Sequence, residues 1–185
     1  MIDANKLRKG TTFEDNNEIF KVLDYTHIKM ARGGATVRTK VINLRSGSIT
    51  EKTFNSGEKV KDIRLDHQEV QYLYSDGNLY YFMNTETYEQ PALGKDVLAD
   101  IIPYLIDGLE VKLSTYNGEP IDVELPTTVE MKVTHAEPGF AGDTATGATK
   151  TVTVTSGLEV QTPLFVEEGD VIRIDTRTGE YLTRV

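Results

Sequence analysis

The sequence contains no cysteine and no tryptophan, and only 3 of its 185 residues are histidine. Without cysteine, the chain can form no disulfide, no thiolate metal site, no iron–sulfur cluster and no cysteine nucleophile. It also lacks any run of the ~18 apolar residues that a membrane-spanning helix needs. Residues 1–8 have no apolar core of the ~7 to 15 residues that is typical of a secretory signal. We therefore expect a protein of the reducing cytoplasm that makes no contact with a membrane.

The residue patterns of common catalytic and cofactor sites are absent as well. His27, His67 and His135 are 40 and 68 residues apart, so they do not have the spacing of paired metal ligands. There is no glycine-rich phosphate loop before a helix and no nucleophile elbow. Glu167 and Glu168 are neighbours and would point to opposite faces of a strand. We therefore predict a protein that is not an enzyme and that has no metal and no cofactor.

Charge is unevenly distributed along the chain, although the net charge is −9. Residues 1–64 hold 13 basic and 8 acidic residues, a net charge of +5. Residues 65–128 hold 2 basic and 12 acidic residues (−10), and residues 129–185 hold 5 and 9 (−4). A basic segment on an acidic body can place one end of a molecule against phosphates while the body is repelled from other RNA. Chance variation between segments is the alternative explanation.

Short β-strands dominate the hydrophobic pattern. Residues 18–28 and 35–44 alternate apolar and polar side chains, and residues 29–34 join them, which predicts a hairpin with a protruding tip. Similar β-rich runs follow at short intervals, separated by turn sequences such as Asn117-Gly118. These runs indicate small barrels rather than a parallel sheet, because no helix of crossover length alternates with them.

The number of strands exceeds what one small barrel can use. We therefore predict an all-β chain of three small β-barrel domains, with residues 1–64, 65–128 and 129–185 as the domains. One short helix is predicted within residues 96–107, where apolar residues recur at helical spacing. Asp96 can cap its start, Gly108 can end it, and Pro103 should kink or divide it.

The tip of the predicted hairpin carries residues suited to binding: Lys29, Met30, Ala31, Arg32, Gly33 and Gly34. The loop is longer than closure requires and holds two cations. Arg32 would reach farthest, and its guanidinium could bind phosphate or stack on a base. The two glycines on their own are ordinary turn chemistry.

Two segments of the last third of the chain are further candidates for binding. Residues 138–147 form a long loop in which Gly142 leaves the backbone approachable, while Asp143 and Thr144 could hydrogen-bond to base edges. A hairpin loop without a partner explains this segment equally well. At the C-terminus, Tyr181 and Arg184 suit stacking plus phosphate contact. An ordinary final strand is the better explanation of these two residues when they are considered alone.

The chain resembles the bacterial translation elongation factor P family from end to end. The resemblance rests on short stretches spread over the whole sequence: residues 5–10 (NKLRKG), 29–37, 123–126 (VELP), 142–144 (GDT) and 174–181 (IDTRTGEY). Residues 150–169 also resemble the family's third-domain signature. Within them, Val152 stands where alanine is usual and Thr162 where valine is usual.

This resemblance implies an L-shaped arrangement of three β-barrels, with an SH3-like or KOW-like first domain and two OB-fold domains. It implies a translation elongation factor that mimics the outline of tRNA and binds the ribosome between the P and E sites. Family members relieve stalls at consecutive prolines by positioning peptidyl-tRNA. Positioning alone can raise the rate of a reaction, so the ribosome would remain the catalyst.

The resemblance also assigns roles to individual residues. Arg32 corresponds to the fingertip position, which is most often a modified lysine in the family. Some members have arginine there and a subset of these carry a rhamnose, so Arg32 is a candidate modification site and an arginine-modifying enzyme is a candidate partner. An unmodified tip is the alternative. The Gly142-Asp143-Thr144 loop corresponds to the part that contacts the mRNA codon in the E site, and Tyr181 and Arg184 to residues near the P-site tRNA.

Two other functions fit the sequence. The first is that of an elongation factor P-like paralogue with a narrower set of targets. The second is that of a general OB-fold module that binds single-stranded RNA, which would display aromatic side chains on a strand face. The candidates for such a face are Tyr72, Tyr74, Tyr80, Tyr81 and Phe82. Because they lie in the most acidic segment, we predict that they pack in the core instead.

Overall fold

The computed structural model describes residues 1–29, 31, 33–140 and 147–185. Its strands form three separate antiparallel sheets, one of six strands and two of five. Each sheet is formed by consecutive strands of the chain and has its own buried apolar cluster, so we call the three parts the first, central and third units. Within the described residues, no helix is long and apolar enough to span a membrane. The predicted all-β fold with barrel-like sheets is confirmed.

The first unit contains a six-stranded sheet. Its strands are β1 (Ile2–Asp3), β2 (Thr12–Asp15), β3 (Glu18–Ile28), β4 (Thr36–Asn43), β5 (Ile49–Asn55) and β6 (Lys59–Asp62), and a short 3-10 helix (Ala4–Lys6) follows β1. The spatial order is β1-β6-β2-β3-β4-β5. Alternation along the strands buries Phe13, Phe20, Val22 and Phe54 on one face. The rings of Phe13 and Phe20 stack with centroids 5.7 Å apart, which holds neighbouring strands β2 and β3 together.

The central unit contains a five-stranded sheet. Its strands are β7 (Asp66–Ser75), β8 (Leu79–Asn84), β9 (Ala92–Gly94), β10 (Glu110–Tyr116) and β11 (Glu119–Glu124), in the spatial order β11-β10-β7-β8-β9. Val70, Tyr72, Phe82, Val111 and Leu113 form the middle of its buried cluster. Because these side chains alternate with exposed ones along each strand, the sheet has one buried inner face and one outer face.

A β-bulge divides the aromatic residues of the central sheet between these two faces. Tyr72 pairs with Phe82 and Tyr74 pairs with Tyr81, so Leu73 is an extra residue between the two pairs. Tyr72 and Phe82 are buried, whereas Tyr74 is 53% exposed. The prediction that all of these aromatic residues pack in the core is therefore wrong for Tyr74 and Tyr81, which stack on each other on the outer face.

The predicted helix in residues 96–107 is shorter than expected and is divided. An α-helix, α1 (Lys95–Leu98), is followed after a turn by a 3-10 helix (Ile102–Tyr104) that contains Pro103. A proline lacks the backbone N–H and clashes with the preceding turn, so one continuous helix cannot form. Gly94, and not Asp96, occupies the N-cap of α1, and no side chain caps it. Leu98 and Leu105 are nevertheless buried in the core, as the apolar pattern predicts.

The third unit contains the remaining five strands. They are β12 (Thr128–Ala136), β13 (Thr149–Val154), β14 (Glu159–Pro163), β15 (Val171–Asp175) and β16 (Tyr181–Arg184), in the spatial order β14-β13-β12-β15-β16. Short aliphatic residues fill its core, including Val129, Val152, Ile172 and Ile174. Since β-branched residues pack well on a pleated surface, this composition suits a tightly wound small sheet.

The first and central units share an apolar cluster, which we call the first–central seam. Ile19 and Leu44 of the first sheet pack with Ile63 of the connecting segment and Ile121 of β11, and all four are buried. Such burial stabilises by roughly 25 cal/mol for each Å² of apolar surface removed from water. The two sheets are therefore joined through a common core and not only through the chain between them.

Polar contacts surround this seam. The Lys21 ammonium lies 2.7 Å from the Asp122 carboxylate. The Arg45 guanidinium donates two hydrogen bonds to the Glu119 carboxylate, at 3.1 and 3.0 Å. This bidentate contact raises the pKa of Arg45. Each pair joins a basic residue of the first unit to an acidic residue of the central unit, so part of the charge asymmetry is neutralised within the molecule.

The third unit is attached to the central unit by side chains from the divided helix region. Tyr104, Ile106 and Leu109 pack against the third core. The Ser156 hydroxyl donates a hydrogen bond to the Pro103 carbonyl. The Pro103 segment thus fills the space between two sheets, which explains why the chain interrupts its helix there.

Candidate functional site

The hairpin of β3 and β4 is the most extended feature of the first unit. Its two strands are paired from Phe20↔Asn43 to Ile28↔Thr36, with one bulge between Val22 and Asp24. The partner strand β5 pairs with β4 from Ile42↔Ile49 to Thr36↔Asn55. Up to the tip, β4 is therefore paired on both sides, whereas β3 beyond Lys21 is paired with β4 alone. We call the paired strands the arm and residues 29–34 the tip.

Part of the tip is described. Lys29, Ala31, Gly33 and Gly34 are all exposed. Met30 and Arg32, which the sequence places in the same loop, lie outside the described residues. The structure agrees with the prediction of an exposed loop at the end of a hairpin for the four tip residues that it describes. The role of Arg32 stays a prediction.

The arm carries a set of exposed cations. Arg38 and Lys40 alternate along β4 with buried Val37, Thr39 and Val41, so both point away from the core. Within the described residues, Arg38 and Lys40 take part in no ion pair, whereas Lys21, Arg45, Lys52 and Lys61 each pair with a carboxylate: Asp122, Glu119, Asp15 and Glu14, respectively. Arg38 and Lys40 therefore place positive charge on the arm that no ion pair among the described residues neutralises, as do Lys6, Lys9, Lys59 and Arg64 elsewhere in the first unit.

A cluster on the tip half of the arm positions another cation. The guanidinium of Arg8 lies 5.0 Å from the ring centroid of Tyr25, and the Tyr25 ring meets the ring of His27 edge to face at 5.6 Å. The Arg8 guanidinium also donates hydrogen bonds to the carbonyls of Asn5 and Leu7, at 2.9 and 2.7 Å. Arg8 is thus exposed and fixed in orientation, which suits a contact with a flat or anionic group.

The loop of residues 138–147 lies between β12 and β13 of the third unit. Its first residues are described: Phe140 is 85% exposed, and a Cβ on Gly139 would lie 2.9 Å from Leu164 Cδ2. A side chain at this position would require the end of the flexible Leu164 side chain to move. Gly142, Asp143 and Thr144, the predicted codon-contacting residues, lie outside the described residues, and their role stays a prediction.

Tyr181 and Arg184 both belong to β16 but have different environments. Tyr181 packs partly against the third core. The exposed Arg184 guanidinium lies 5.0 Å from the centroid of the Phe165 ring and 3.4 Å from the Asp170 carboxylate. A backbone hydrogen bond from Glu167, aided by Arg184, lowers the pKa of Asp170. Arg184 is therefore held on the surface, while Tyr181 serves mainly to anchor the strand.

The predicted site residues do not converge on one pocket. The tip belongs to the first unit, and the other two candidate sites belong to the third unit. A crevice of about 570 Å³ lies between the units, with Lys21, Asp122 and Arg177 among its lining residues. Lys21 pairs with Asp122 there, and Arg177 pairs with Asp175 at 2.9 Å. Within the described parts of the chain, no group of three or more acidic or histidine side chains is placed to hold a metal ion.

Sequence reasoning missed the polar contacts of the first–central seam. The partners Arg45 and Glu119 are 74 residues apart, so no local sequence pattern predicts that they pair. The only signal in the sequence was the opposite net charge of the first and central units. It indicates that the two units attract each other, but not which residues pair. The exposed position of Tyr74 was also missed, because the bulge at Leu73 reverses the simple alternation along β7.

Three tandem β-sheet units, with candidate sites on the first and third units and no pocket shared among the described residues of those sites, define a class of protein built as a chain of small β domains. Comparison with known families identifies the family within this class. Residues 3–60 match the elongation factor P KOW-like domain, residues 65–123 the elongation factor P OB domain, and residues 129–184 the elongation factor P C-terminal domain. The chain belongs to the elongation factor P family.

Full-length relatives agree with this assignment. The chain is 50% identical to elongation factor P of Moorella thermoacetica over 184 residues and 51% identical to that of Thermoanaerobacter sp. over 185 residues. It is 48% identical to that of Acetivibrio thermocellus over 185 residues. In all three cases the alignment covers 100% of both chains. The chain is thus a translation elongation factor by family, with the family's complete set of three domains.

Proposed function

We propose that this elongation factor binds the ribosome between the P and E sites and stimulates peptide-bond formation at consecutive prolines by positioning peptidyl-tRNA. The observation that carries the proposal is the arm, in which two strands paired as far as Ile28↔Thr36 present an exposed tip. A narrow arm can enter a crevice that a globular body cannot. The exposed cations Arg38 and Lys40 supply the attraction to RNA phosphates.

The arm would act by position and not by chemistry of its own. A poorly reactive donor gains rate when its reacting end is held in attacking geometry, because the entropy of orientation is lost before the reaction step. In this proposal the ribosome remains the catalyst and the protein is not an enzyme. Arg32 is the tip residue that orders the peptidyl end, and an arginine-modifying enzyme that extends its side chain is a proposed additional partner.

The third unit would hold the molecule on the ribosome through two further contacts. Gly142, Asp143 and Thr144 are proposed to contact the mRNA codon in the E site, and Tyr181 and Arg184 the P-site tRNA. The position of Arg184 supports this role, because its guanidinium is exposed and is oriented by Phe165 and Asp170. We further propose domain boundaries at 64/65 and 128/129, an L-shaped outline that follows tRNA, and action in the cytoplasm.

The test is reconstituted translation of a message that encodes three consecutive prolines. Arg32→Ala should reduce the rate of full-length synthesis about tenfold or more, since a loss of ~1.4 kcal/mol in positioning changes a rate tenfold. The matched control is Arg64→Ala, which removes an exposed arginine from the same unit. A proline-free message should be translated equally by all three proteins. If Arg32→Ala supported synthesis through the prolines at the wild-type rate, the proposed role of the tip would be wrong.

A further inference from the structure

The outer face of the central sheet carries a stacked pair of tyrosines that is open to solvent. The rings of Tyr74 and Tyr81 are 4.7 Å apart at their centroids and 20° from parallel, and Tyr74 is 53% exposed. The Tyr81 hydroxyl donates a hydrogen bond of 3.1 Å to Asp76, which also accepts backbone hydrogen bonds from Asn78 and Leu79. The pair is therefore fixed before any partner binds, and a partner would lose little affinity to ordering this surface.

Strand register places carboxylates on the same face as this pair. Tyr81 and Met83 are two residues apart on β8, Met83 pairs with Gln71, and Gln71 pairs with Glu110. Cross-strand partners share a face, so Glu110 lies on the face of Tyr81, and Glu69 lies there because it is two residues from Gln71. Both glutamates are exposed. By the same register Lys112 pairs with Glu69 and with Glu124 on this face, so the face combines an aromatic end with an end where three glutamates surround one lysine. We call this second end the acidic end.

The acidic end continues into a crevice beside the sheet. This crevice has a volume of about 560 Å³, and Glu69, Asp107 and Glu110 are among its lining residues. Glu130 also lines it, but its carboxylate is paired with the Arg173 guanidinium at 2.7 Å. Strand geometry places Glu69 about 16 Å from Tyr74 along β7, at ~3.3 Å for each residue. An extended polypeptide of five or six residues would span the distance from the crevice to the tyrosines.

The charge of the central unit is not balanced within the molecule. It has 12 acidic residues and only two basic ones, Lys95 and Lys112. Among the described residues, Asp122 and Glu119 are the acids of this unit that form ion pairs, and both do so at the first–central seam. The outer face of the sheet therefore retains a negative potential, which attracts cations and repels phosphates.

We propose that the outer face of the central sheet binds an extended, arginine-rich segment of another protein. One guanidinium stacks on the open face of Tyr74, and a second cation enters the crevice at Glu69 and Glu110. Arginine is favoured over lysine because its planar guanidinium both stacks on an aromatic ring and forms two hydrogen bonds with a carboxylate. Single-stranded RNA would meet the same tyrosines but would be repelled by the carboxylates. This inference does not depend on the proposed action at the P and E sites.

The test uses a fluorescently labelled 12-residue peptide of alternating arginine and glycine, with binding to the full chain measured by anisotropy. We expect saturable binding that weakens as salt rises, and weaker binding of the matched lysine–glycine peptide. Tyr74→Ala combined with Tyr81→Ala should raise the Kd of the arginine peptide at least fivefold. The matched control is Tyr88→Ala, because Tyr88 is a tyrosine of the same unit that is 71% exposed. It should change the Kd less than twofold.

A second pair of variants tests the acidic end with the aromatic residues intact. Glu69→Gln with Glu110→Gln should also raise the Kd at least fivefold. Glu137→Gln with Glu159→Gln removes the same charge from exposed positions of the third unit and should change the Kd less than twofold. Equal effects of the two double variants would overturn the proposal, because they would indicate attraction to net charge alone. Saturable binding of a labelled 12-residue oligouridylate to the full chain in the absence of peptide, weakened by Tyr74→Ala with Tyr81→Ala, would overturn it in favour of RNA.

Discussion

Thr162 lies in the core of the third unit with a hydroxyl oxygen that has no hydrogen-bond partner among the described atoms. A buried polar group without a partner loses its hydrogen bonds to water and gains none in return. Thr162→Val replaces the hydroxyl with a methyl group of similar size. We expect it to raise the free energy of unfolding by about 1 kcal/mol, measured by urea denaturation.

Thr39 provides the matched control for this prediction. It is equally buried, but its hydroxyl donates a hydrogen bond of 3.0 Å to the Lys52 carbonyl. Thr39→Val should therefore lower the free energy of unfolding by about 1 kcal/mol. A loss of stability in Thr162→Val would show that its hydroxyl is satisfied in solution.

Asp175 makes the stability of the third unit depend on pH. Its carboxylate accepts hydrogen bonds from the Arg177 guanidinium at 2.9 and 3.2 Å and from the Arg177 backbone N–H at 2.8 Å, and these contacts lower the pKa of Asp175. The unfolded chain therefore binds a proton more readily than the folded one as the pH falls below about 4. The contribution of Asp175 to stability is complete above that pH and is lost as the pH falls through the lowered pKa.

We predict that the free energy of unfolding depends less steeply on pH in Asp175→Asn than in the wild-type protein. The free energy of unfolding should fall less steeply with decreasing pH below about 4 than in the wild-type protein, because one linked carboxylate is absent. Urea denaturation at a series of pH values measures this slope. Glu180→Gln, at an exposed position in the same turn, should leave the slope at its wild-type value. Identical slopes for Asp175→Asn and wild type would exclude the linkage.

At the scale of single elements, the strands were predictable where alternation is regular. The eleven residues of β3 were predicted with the bounds found in the structure, Glu18–Ile28, because apolar and polar side chains alternate over most of that length. The short strands β2 (Thr12–Asp15) and β9 (Ala92–Gly94) were not predicted. Strands of three or four residues carry too few alternations to distinguish them from loops, and tertiary pairing decides them.

Two further elements have features that the sequence did not predict. In residues 96–107 the apolar spacing correctly indicates burial, but Pro103 and packing against the third unit determine where the helix is divided. In β7 the bulge at Leu73 sends Tyr74 outward, and a bulge has no simple sequence pattern. The candidate site follows the same rule. The sequence indicates an exposed tip, whereas the pairing of Arg45 with Glu119 depends on the arrangement of two sheets.

The arm should dominate electrostatic attraction to the ribosome. Arg38→Glu with Lys40→Glu reverses two exposed charges that form no ion pair among the described residues. We expect ribosome binding in a pelleting assay to weaken about tenfold at low salt and to depend less on salt concentration, since fewer counterions are released from RNA. Lys95→Glu with Lys112→Glu makes the same change in net charge within the central unit and should have a smaller effect. Equal weakening by both double variants would disprove the role of the arm.

At the scale of the whole molecule, one glycine allows the first and central units to meet. Gly47 has φ +73°, and a Cβ there would lie 2.5 Å from the Asp96 Cβ and 2.7 Å from the Asp96 backbone carbon. Gly47→Ala should therefore lower the free energy of unfolding by about 2 kcal/mol or more, since both backbone strain and a steric clash oppose it. Thermal and urea denaturation would measure the loss.

Gly57 separates these two causes. It has φ +85°, but a Cβ there would meet no atom within 4 Å. Gly57→Ala should show the backbone strain alone, about 1 kcal/mol. Limited proteolysis should cleave the segment between the first and central units faster in Gly47→Ala than in Gly57→Ala. Equal stability and equal cleavage of the two variants would mean that the close approach at Asp96 imposes no constraint.

The first–central seam also sets an angular tolerance for the tip. The arm from Phe20 to Ile28 spans eight residue steps, about 26 Å at ~3.3 Å for each step. It acts as a lever, so a rotation of about 2° at its base displaces the end by ~1 Å. A misplacement of that size can change the rate of a positioned reaction by about a hundredfold. For the proposed function, the rigidity of the first–central seam, far from the peptidyl end, would thus limit how accurately the tip positions that end.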